Sequence, residues 1–348
     1  MTARALISTA DHQDARPSAS PSSSLWRWAR IAVTLALLAL VASRIDFRDL
    51  AAAFAAARPG PLLLLIAVIW AQRYLAAIRW WLLLRCNTPS LPLWSVVRVT
   101  FASDFIGQFL PGTVGVELLR LCGISRATGN TAAAVSSIVA DRLLSTAALA
   151  ALVLVALAAA PRTVQVDPSL AIAGWACLAL AVAARAAAMS PRPRPAAERL
   201  LPRPLARRFQ SRLDRVYTAF DQYRARRGLL ALGVALALLF QSIRILMYFV
   251  GAVALGIDAP FSAFAVYIPI IIFLTLLPIS IGGFGVREAA FMYLFAGVGV
   301  PGEQAVALSL FVYIVHMLCR LPGAWFCAVG PAAPRPAPSS TASACEKA

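Results

Sequence analysis

The chain has few residues of the kinds that usually hold metals or carry catalysis. Its two histidines, His12 and His316, lie far apart, and none of its six cysteines forms a CxxC pair, so no zinc-type site is visible. No GxxxxGK[ST] segment is present, which argues against a P-loop ATPase. From these absences we expect no metal, no cofactor and no catalytic residue.

Acidic residues are also scarce, 15 against 32 basic ones, and the net charge is +17. Almost all the basic residues are arginines, and they concentrate in loops and tails. A soluble protein with this charge would suggest nucleic acid as a partner. No folded soluble domain carries the charge here, so we expect no nucleic acid. Membrane topology and contact with anionic lipid headgroups explain the charge better.

Apolar residues are abundant: 60% of the chain is hydrophobic and the mean hydropathy is +0.76. Several apolar runs approach the ~20 residues that cross a ~30 Å hydrocarbon core. The sequence therefore predicts an all-α polytopic membrane protein with about six spanning helices. The predicted spans are residues 26–41, 62–84, 131–159, 170–189, 229–256 and 304–329.

The stretch LLPISIGGFGVREAAF, residues 276–291, interrupts an apolar region with one proline, three glycines and two adjacent opposite charges. Proline ends a helix, and glycine permits a tight turn of bare backbone. Because charges at membrane depth are costly unless they face a cavity or a partner, the pattern predicts a re-entrant helical hairpin. The alternative is a short loop whose charges lie in water. The residues concerned are Pro278, Gly282, Gly283, Gly285, Arg287 and Glu288.

A related pattern lies in the first half of the chain, where an apolar run ends at Pro111-Gly112. The spacing from Pro111 to Gly115 equals that from Pro278 to Gly282, and Glu117 and Arg120 follow. Interrupted hydrophobic segments at matching places in two halves often mark the binding site of a transporter. We therefore predict two re-entrant hairpins, residues 93–126 and 261–300, in an inverted-repeat-like arrangement.

The arginine bias sets the predicted orientation and the domain boundaries. The arginine-rich segment 190–228 is predicted to be a cytoplasmic linker with an amphipathic surface helix at 205–223, although a merely solvated loop fits as well. If 93–126 is a hairpin, both termini lie in the cytoplasm and the second hairpin enters from the opposite face. The predicted parts are a disordered tail 1–24, a first half 25–189, the linker, a second half 229–329 and a disordered tail 330–348.

Two charged residues lie deep in predicted spans. Asp141 is about 15 Å into its helix, and Arg244 is at least as deep into its own. Arg79 and Arg320 lie nearer helix ends, so we interpret them as anchors that reach the interface.

We hypothesise that the deep charges pair across the two halves. In this hypothesis Asp141 or Glu117 pairs with Arg287, and Glu288 pairs with Arg142 or Arg244. A structural ion pair between helices is the alternative for Asp141 and Arg142.

An arginine-lined cavity suits phosphate, because the guanidinium fork binds it through two hydrogen bonds. The candidate substrate-binding and translocation residues are Pro111, Gly112, Gly115, Glu117, Arg120, Asp141, Arg142, Arg244, Pro278, Gly282, Gly283, Gly285, Arg287 and Glu288.

The segments PGTVGVELLR, SSIVADRL, LPISIGGFGVREAAF, GVGVPGEQAVALSL and AIRWWLLL together resemble the lysylphosphatidylglycerol synthase transmembrane region, a flippase-like family of bacterial and archaeal membrane proteins. The resemblance covers roughly residues 28–328. It implies a bundle with two re-entrant hairpins that moves lipids or lipid-linked headgroups between leaflets. The first motif departs from the family, because Val116 and Glu117 stand where a glycine and an aspartate are usual. The soluble aminoacyltransferase domain of bifunctional members has no counterpart here, so lipid aminoacylation is not expected.

These observations favour a non-enzymatic flippase-like transporter in the bacterial cytoplasmic (inner) membrane, with membrane lipids of anionic headgroup as partners. A membrane-embedded transferase acting on a lipid-linked substrate is an alternative. Such an enzyme usually needs carboxylates in a sizeable aqueous loop, and we expect no long outer loop in this chain. A scaffold that recruits a lipid-modifying enzyme partner through the basic linker is a further alternative.

Overall fold

The computed structural model describes residues 56–109, 114–159, 223, 226–276, 280 and 283–328. These residues are helical and include no strand, which confirms the all-α class for the part described. The predicted spans 26–41 and 170–189, the linker helix and both tails lie outside the described residues, apart from Tyr223.

The helices are numbered here in chain order. They are α1 (Pro59–Leu84), α2 (Leu93–Gly107), α3 (Val114–Thr128), α4 (Thr131–Ala159), α5 (Arg227–Leu255), α6 (Phe261–Leu276), α7 (Val286–Ala296), α8 (Gly302–Leu318) and α9 (Gly323–Ala328).

Within the described ranges, four helical stretches are long and apolar enough to cross a membrane: Pro59–Leu84, Thr131–Ala158, Gly228–Leu255 and Gly302–Cys327. They coincide with four of the predicted spans, and the chain is a multi-pass membrane protein. The last stretch, predicted as a single span over residues 304–329, is divided into two helices. It breaks between α8 and α9 around Pro322, which has no N–H to donate and disfavours a helical residue before it.

Outside these four stretches, the described helices α2, α3, α6 and α7 are too short to cross alone. The helices α2, α3, α6 and α7 have 15, 15, 16 and 11 residues, so they are about 16–24 Å long. They pack in two pairs, α2 against α3 and α6 against α7, at the two places where the sequence predicts hairpins. The first pair is tight, because a Cβ added at Gly123 of α3 would lie 2.7 Å from a methyl group of Val99 in α2.

The bundle is organised around α1 and α5, whose contact is the most extensive among the described helices. The helix α4 packs against both, and α8 packs against α5 and α7. Fully buried apolar side chains such as Leu65, Ile69, Phe264 and Leu308 fill these contacts. One face of each long helix is therefore covered by other helices, and polar side chains on that face must find partners inside the protein.

Candidate functional site

The turn that precedes α7 depends on glycine, as the sequence predicts. Gly283 and Gly285 have φ angles of 79° and 80°, a region that L side chains rarely adopt. A Cβ at Gly283 would also lie 3.0 Å from the Cβ of Thr275 at the end of α6, so the two chain segments approach closely. Pro278 and Gly282 lie outside the described residues.

Glu288 is the most buried charged group of this motif, with 1% of its surface exposed. Its Oε2 accepts the backbone N–H of Gly285 at 2.8 Å, and its Oε1 accepts Arg287 Nε at 2.9 Å. The same Arg287 Nε also lies 2.9 Å from Ser309 Oγ in α8. The predicted pairing of Glu288 with Arg142 or Arg244 is wrong. The carboxylate turns back to cap its own helix, and the long side chain of Arg287 reaches it there.

The first motif forms its charge pairs on the α3–α4 side of the bundle. Arg142 Nε makes an ion pair with Glu117 Oε1, and Arg120 Nη2 donates to Asp104 Oδ1 of α2 at 3.0 Å. The predicted contact between Glu117 and Arg287 is therefore wrong. Gly115 lies half-buried in the first turn of α3, whereas Pro111 and Gly112 lie outside the described residues.

Asp141 pairs with Arg79, which the sequence analysis interpreted as an interfacial anchor. Arg79 Nε and Nη2 donate to the two carboxylate oxygens at 2.7 and 3.1 Å. Both residues are buried, Arg79 at 3% and Asp141 at 9% exposure. The anchor interpretation and the predicted Asp141–Arg287 pair are both wrong. The guanidinium points from α1 towards α4, into the bundle, because the buried carboxylate of Asp141 accepts its hydrogen bonds there.

Arg244 lies near the middle of the 29-residue α5 and is partly buried. Within the described ranges it forms no ion pair with a carboxylate. Its guanidinium lies 5.0 Å from the Phe240 ring centroid, and that of Arg79 lies 5.1 Å from the same centroid. Arg79 and Arg142 both act on Arg244 electrostatically. Arg244 is therefore a guanidinium held next to other cations without a carboxylate of its own.

The imidazole of His316 in α8 connects this region to the second motif. Arg73, Arg244, Arg287 and Arg320 all lie close enough to act on it electrostatically. These arginines of α1, α5, α7 and the turn after α8 thus surround the His316 imidazole, and we call His316 and the four arginines the cation cluster. An anion placed there would be attracted by all of them.

The structure adds residues that the sequence analysis did not select. They are Arg73, His316 and Arg320 of the cation cluster, with Asp104, whose Oδ2 lies 3.3 Å from Arg73 Nη2. Arg73 lies near the middle of the 26-residue α1, so the depth criterion applied to Asp141 and Arg244 would have found it. Arg320 is partly buried, and its Nε is buried without a hydrogen-bond partner among the described residues. Its role as an interfacial anchor stays a prediction.

The described residues contain no group of three or more His, Cys, Asp or Glu side chains arranged to hold a metal ion. What they assemble is an excess of guanidinium groups over carboxylates inside an apolar bundle. Guanidinium groups can bind an anion through two hydrogen bonds, and this geometry favours phosphate or carboxylate.

Two groups next to the end of α1 tie the linker to the bundle. Tyr223, at the end of the basic linker, donates its hydroxyl to the carbonyl oxygen of Leu83 at 3.0 Å. Burial raises the pKa of the Tyr223 phenol, and burial also raises the pKa of the nearby Cys86 thiol. Tyr223 therefore stays neutral and fixes the linker against α1.

Comparisons with known proteins agree with this architecture. A search of curated proteins finds none that matches the chain significantly. The family described as the lysylphosphatidylglycerol synthase TM region matches residues 27–323, most of the chain, including every helix of the site. The family is tied to lipid biosynthesis or transport in membranes. The chain belongs to the lysylphosphatidylglycerol synthase transmembrane-region family.

Proposed function

We propose that this protein is a flippase-like transporter that moves a phospholipid, or a lipid-linked anionic headgroup, between the two leaflets. Transport without covalent chemistry fits the side chains present, which bind anions and include no arrangement for metal catalysis among the described residues. The tails of the lipid would stay in the bilayer while the headgroup crosses through the cation cluster.

The observation that carries the proposal is the position of Arg244. A charged side chain at the centre of a bilayer costs at least about 2.5–3.5 kcal/mol on insertion scales. Arg244 has no carboxylate partner within the described residues, and its neighbours Arg79 and Arg142 are also cations. A transient anionic partner such as a lipid phosphate would offset the cost of burying this charge.

The two short helix pairs support a re-entrant topology for the proposal. Helices of about 16–24 Å fall short of a ~30 Å hydrocarbon core, so each pair would enter and leave on one face. The arginine-rich linker favours a cytoplasmic position, which would bring the two hairpins in from opposite faces. Family membership favours the bacterial inner membrane, and the arginine bias with a hairpin at 93–126 favours both termini in the cytoplasm.

A flipping assay tests the proposal. The purified protein is placed in liposomes with a fluorescent phosphatidylglycerol, and the fraction that a membrane-impermeant quencher reaches is followed over time. We expect wild type to accelerate flipping and Arg244→Gln to lose at least tenfold in rate. Arg126→Gln, a control at an exposed position on α3, should keep the wild-type rate. Equal rates for empty and protein-containing liposomes across anionic and lipid-linked substrates would refute transport.

Mass spectrometry of the same liposomes separates transport from enzymatic conversion. Transport leaves the labelled lipid chemically unchanged on both faces. Conversion of the lipid into a new species by the pure protein would favour the transferase alternative instead. Loss of a bound enzyme on deleting residues 190–222, with no flipping by wild type, would favour the scaffold.

A further inference from the structure

A second group of arginines lies beside the cation cluster, between α1, α2, α3 and the break after α8. Arg73 Nη2 lies 3.3 Å from Asp104 Oδ2, and Arg120 Nη2 lies 3.0 Å from Asp104 Oδ1. Arg320 acts electrostatically on Arg73 from the end of α8. Two guanidinium groups thus share one described carboxylate, with a third cation, Arg320, near Arg73. These four residues are called the Asp104 station below.

The donors of the station outnumber the oxygens that Asp104 offers. Nε and Nη2 of Arg73, Nε of Arg120 and Nε of Arg320 are buried and have no hydrogen-bond partner in the part of the chain that the structure describes. Arg73 is 4% exposed, and its Nη2 lies at ion-pair distance from Asp104 without the alignment of a hydrogen bond. Buried donors without acceptors are unfavourable, so the station lacks an acceptor with more oxygens than a carboxylate has.

Aromatic rings hold two of these guanidinium groups in place. Arg73 lies over Phe101 at 4.8 Å from the ring centroid, and Arg120 lies over Trp80 at 5.4 Å. Stacking occupies the flat face of a guanidinium and leaves its N–H edge free to donate. The free edges are therefore fixed before a ligand arrives, which lowers the entropic cost of binding an anion.

The station is adjacent to the cation cluster and shares Arg73 and Arg320 with it. His316 lies one helical turn before Arg320 in α8 and is close to both arginines. Arg73 and Arg320 therefore belong both to the cation cluster and to the Asp104 station. The Asp104 carboxylate thus occupies a position, beside Arg73 and Arg120, at which an external anion could bind.

We propose that Asp104 is a tethered anion that fills a second anion-binding site, and that a phosphate group displaces it when it binds Arg73, Arg120 and Arg320. A phosphate monoester offers three terminal oxygens, and a diester offers two terminal and two weaker ester oxygens, against the two oxygens of a carboxylate. Either group can therefore accept hydrogen bonds from more of the free donors. This inference rests on the proposed function only for the source of the phosphate. A site for soluble phosphate compounds would have the same chemistry.

The test measures binding to the purified full-length protein by titration calorimetry in detergent. The two probes are dioctanoyl phosphatidylglycerol and glycerol 1-phosphate, with dioctanoylglycerol as the uncharged blank. Binding of the lipid alone assigns the site to headgroups, and binding of both extends it to soluble phosphate; either supports the site. Binding of neither would overturn it.

Variants decide whether Asp104 competes with the probe. We expect Asp104→Asn to lower the dissociation constant at least tenfold, because the tethered competitor loses its charge. We expect Arg73→Gln to raise that constant at least tenfold. Asp258→Asn and Arg126→Gln remove the same charges at exposed positions and should leave binding unchanged. An unchanged dissociation constant in Asp104→Asn or in Arg73→Gln would overturn the proposal.

A further variant covers the case in which Asp104→Asn does not fold. Arg320→Gln removes a cation that makes no ion pair with Asp104, and it should weaken binding at least fivefold. Unchanged binding in Arg320→Gln would contradict the station. The binding and flipping assays can fail separately. If wild type flips lipid but Asp104→Asn binds the probes with the wild-type dissociation constant, the Asp104 station alone is refuted. If the variants bind as expected but wild type flips no lipid, transport alone is refuted.

Discussion

Replacing Arg79 by methionine tests whether the Arg79–Asp141 pair holds α1 and α4 together. The variant keeps an unbranched apolar side chain of similar length but removes both hydrogen bonds, at 2.7 and 3.1 Å, that the carboxylate accepts from Arg79. The Asp141 carboxylate, which is only 9% exposed, is then left without the Arg79 guanidinium that neutralises it. Breaking a buried pair by removing one partner typically costs about 3–5 kcal/mol, and we expect a loss in this range.

The double variant Arg79→Met/Asp141→Leu separates the pair from its parts. Replacement of a buried ion pair by apolar residues is often neutral, so the double variant should lose about 1 kcal/mol or less. Asp141→Leu alone leaves the buried Arg79 without its carboxylate and should cost about as much as Arg79→Met. The two single losses together should therefore exceed the loss of the double variant by several kcal/mol, and this difference is the coupling energy. The assay is equilibrium unfolding in mixed micelles, with sodium dodecyl sulfate as the denaturant and helicity as the signal.

A second pair serves as the internal control. Arg142 and Glu117 also form an ion pair, but their side chains are 46% and 28% exposed. Ion pairs at that exposure are worth up to about 1 kcal/mol, so the corresponding cycle should give a small coupling energy. Additive losses in the Arg79 and Asp141 cycle, or equal coupling in both cycles, would refute the reasoning from burial.

Three further results are expected from the local structure. Gly285→Ala should lower the free energy of unfolding by roughly 1–3 kcal/mol, because its φ of 80° and ψ of −50° are rarely adopted by residues with a Cβ. Gly228→Ala, with nothing within 4 Å of the added Cβ, should not lower it, and chemical unfolding compares the two variants. Tyr223→Phe should cost about 0.5–1.5 kcal/mol in the same assay, since the Leu83 carbonyl loses the hydroxyl donor but keeps the backbone N–H of Cys86, and an unchanged value would contradict the anchoring of Tyr223. Burial raises the pKa of the Cys86 thiol, so its thiolate is depleted at neutral pH and gains population only as the pH rises through the raised pKa. Iodoacetamide should therefore modify a single-cysteine protein retaining the exposed Cys122 at least tenfold faster than one retaining Cys86, and equal rates would contradict the buried position.

The sequence was sufficient for the features that local chemistry determines. Run length and hydropathy located the four described spans, and the glycine turn before α7 followed from Gly283 and Gly285. The short paired helices also agree with the predicted hairpin positions. Each of these features depends on residues that are neighbours in the chain.

The ion-pair partners could not be predicted in the same way. Which charges meet depends on how each helix is rotated about its axis, and helical spacing does not determine that rotation relative to other helices. Arg79 was assigned to the interface because it lies near the end of its span, yet α4 presents Asp141 to it inside the bundle. Glu288 was expected to pair at a distance, but Gly285 offered a free N–H three residues away.

The central claim is that Arg244 faces a polar space that attracts anions. Arg244→Cys tests this most directly. The variant is made in a protein without its native cysteines, reconstituted in liposomes, and treated with anionic or cationic methanethiosulfonate reagents. Leu246→Cys, at a 40% exposed position on the same helix, is the matched control for the apolar surface. The account predicts that the anionic reagent modifies position 244 at least tenfold faster than the cationic one and that position 246 reacts with neither. Absence of modification at position 244, or a preference there for the cationic reagent, would contradict it.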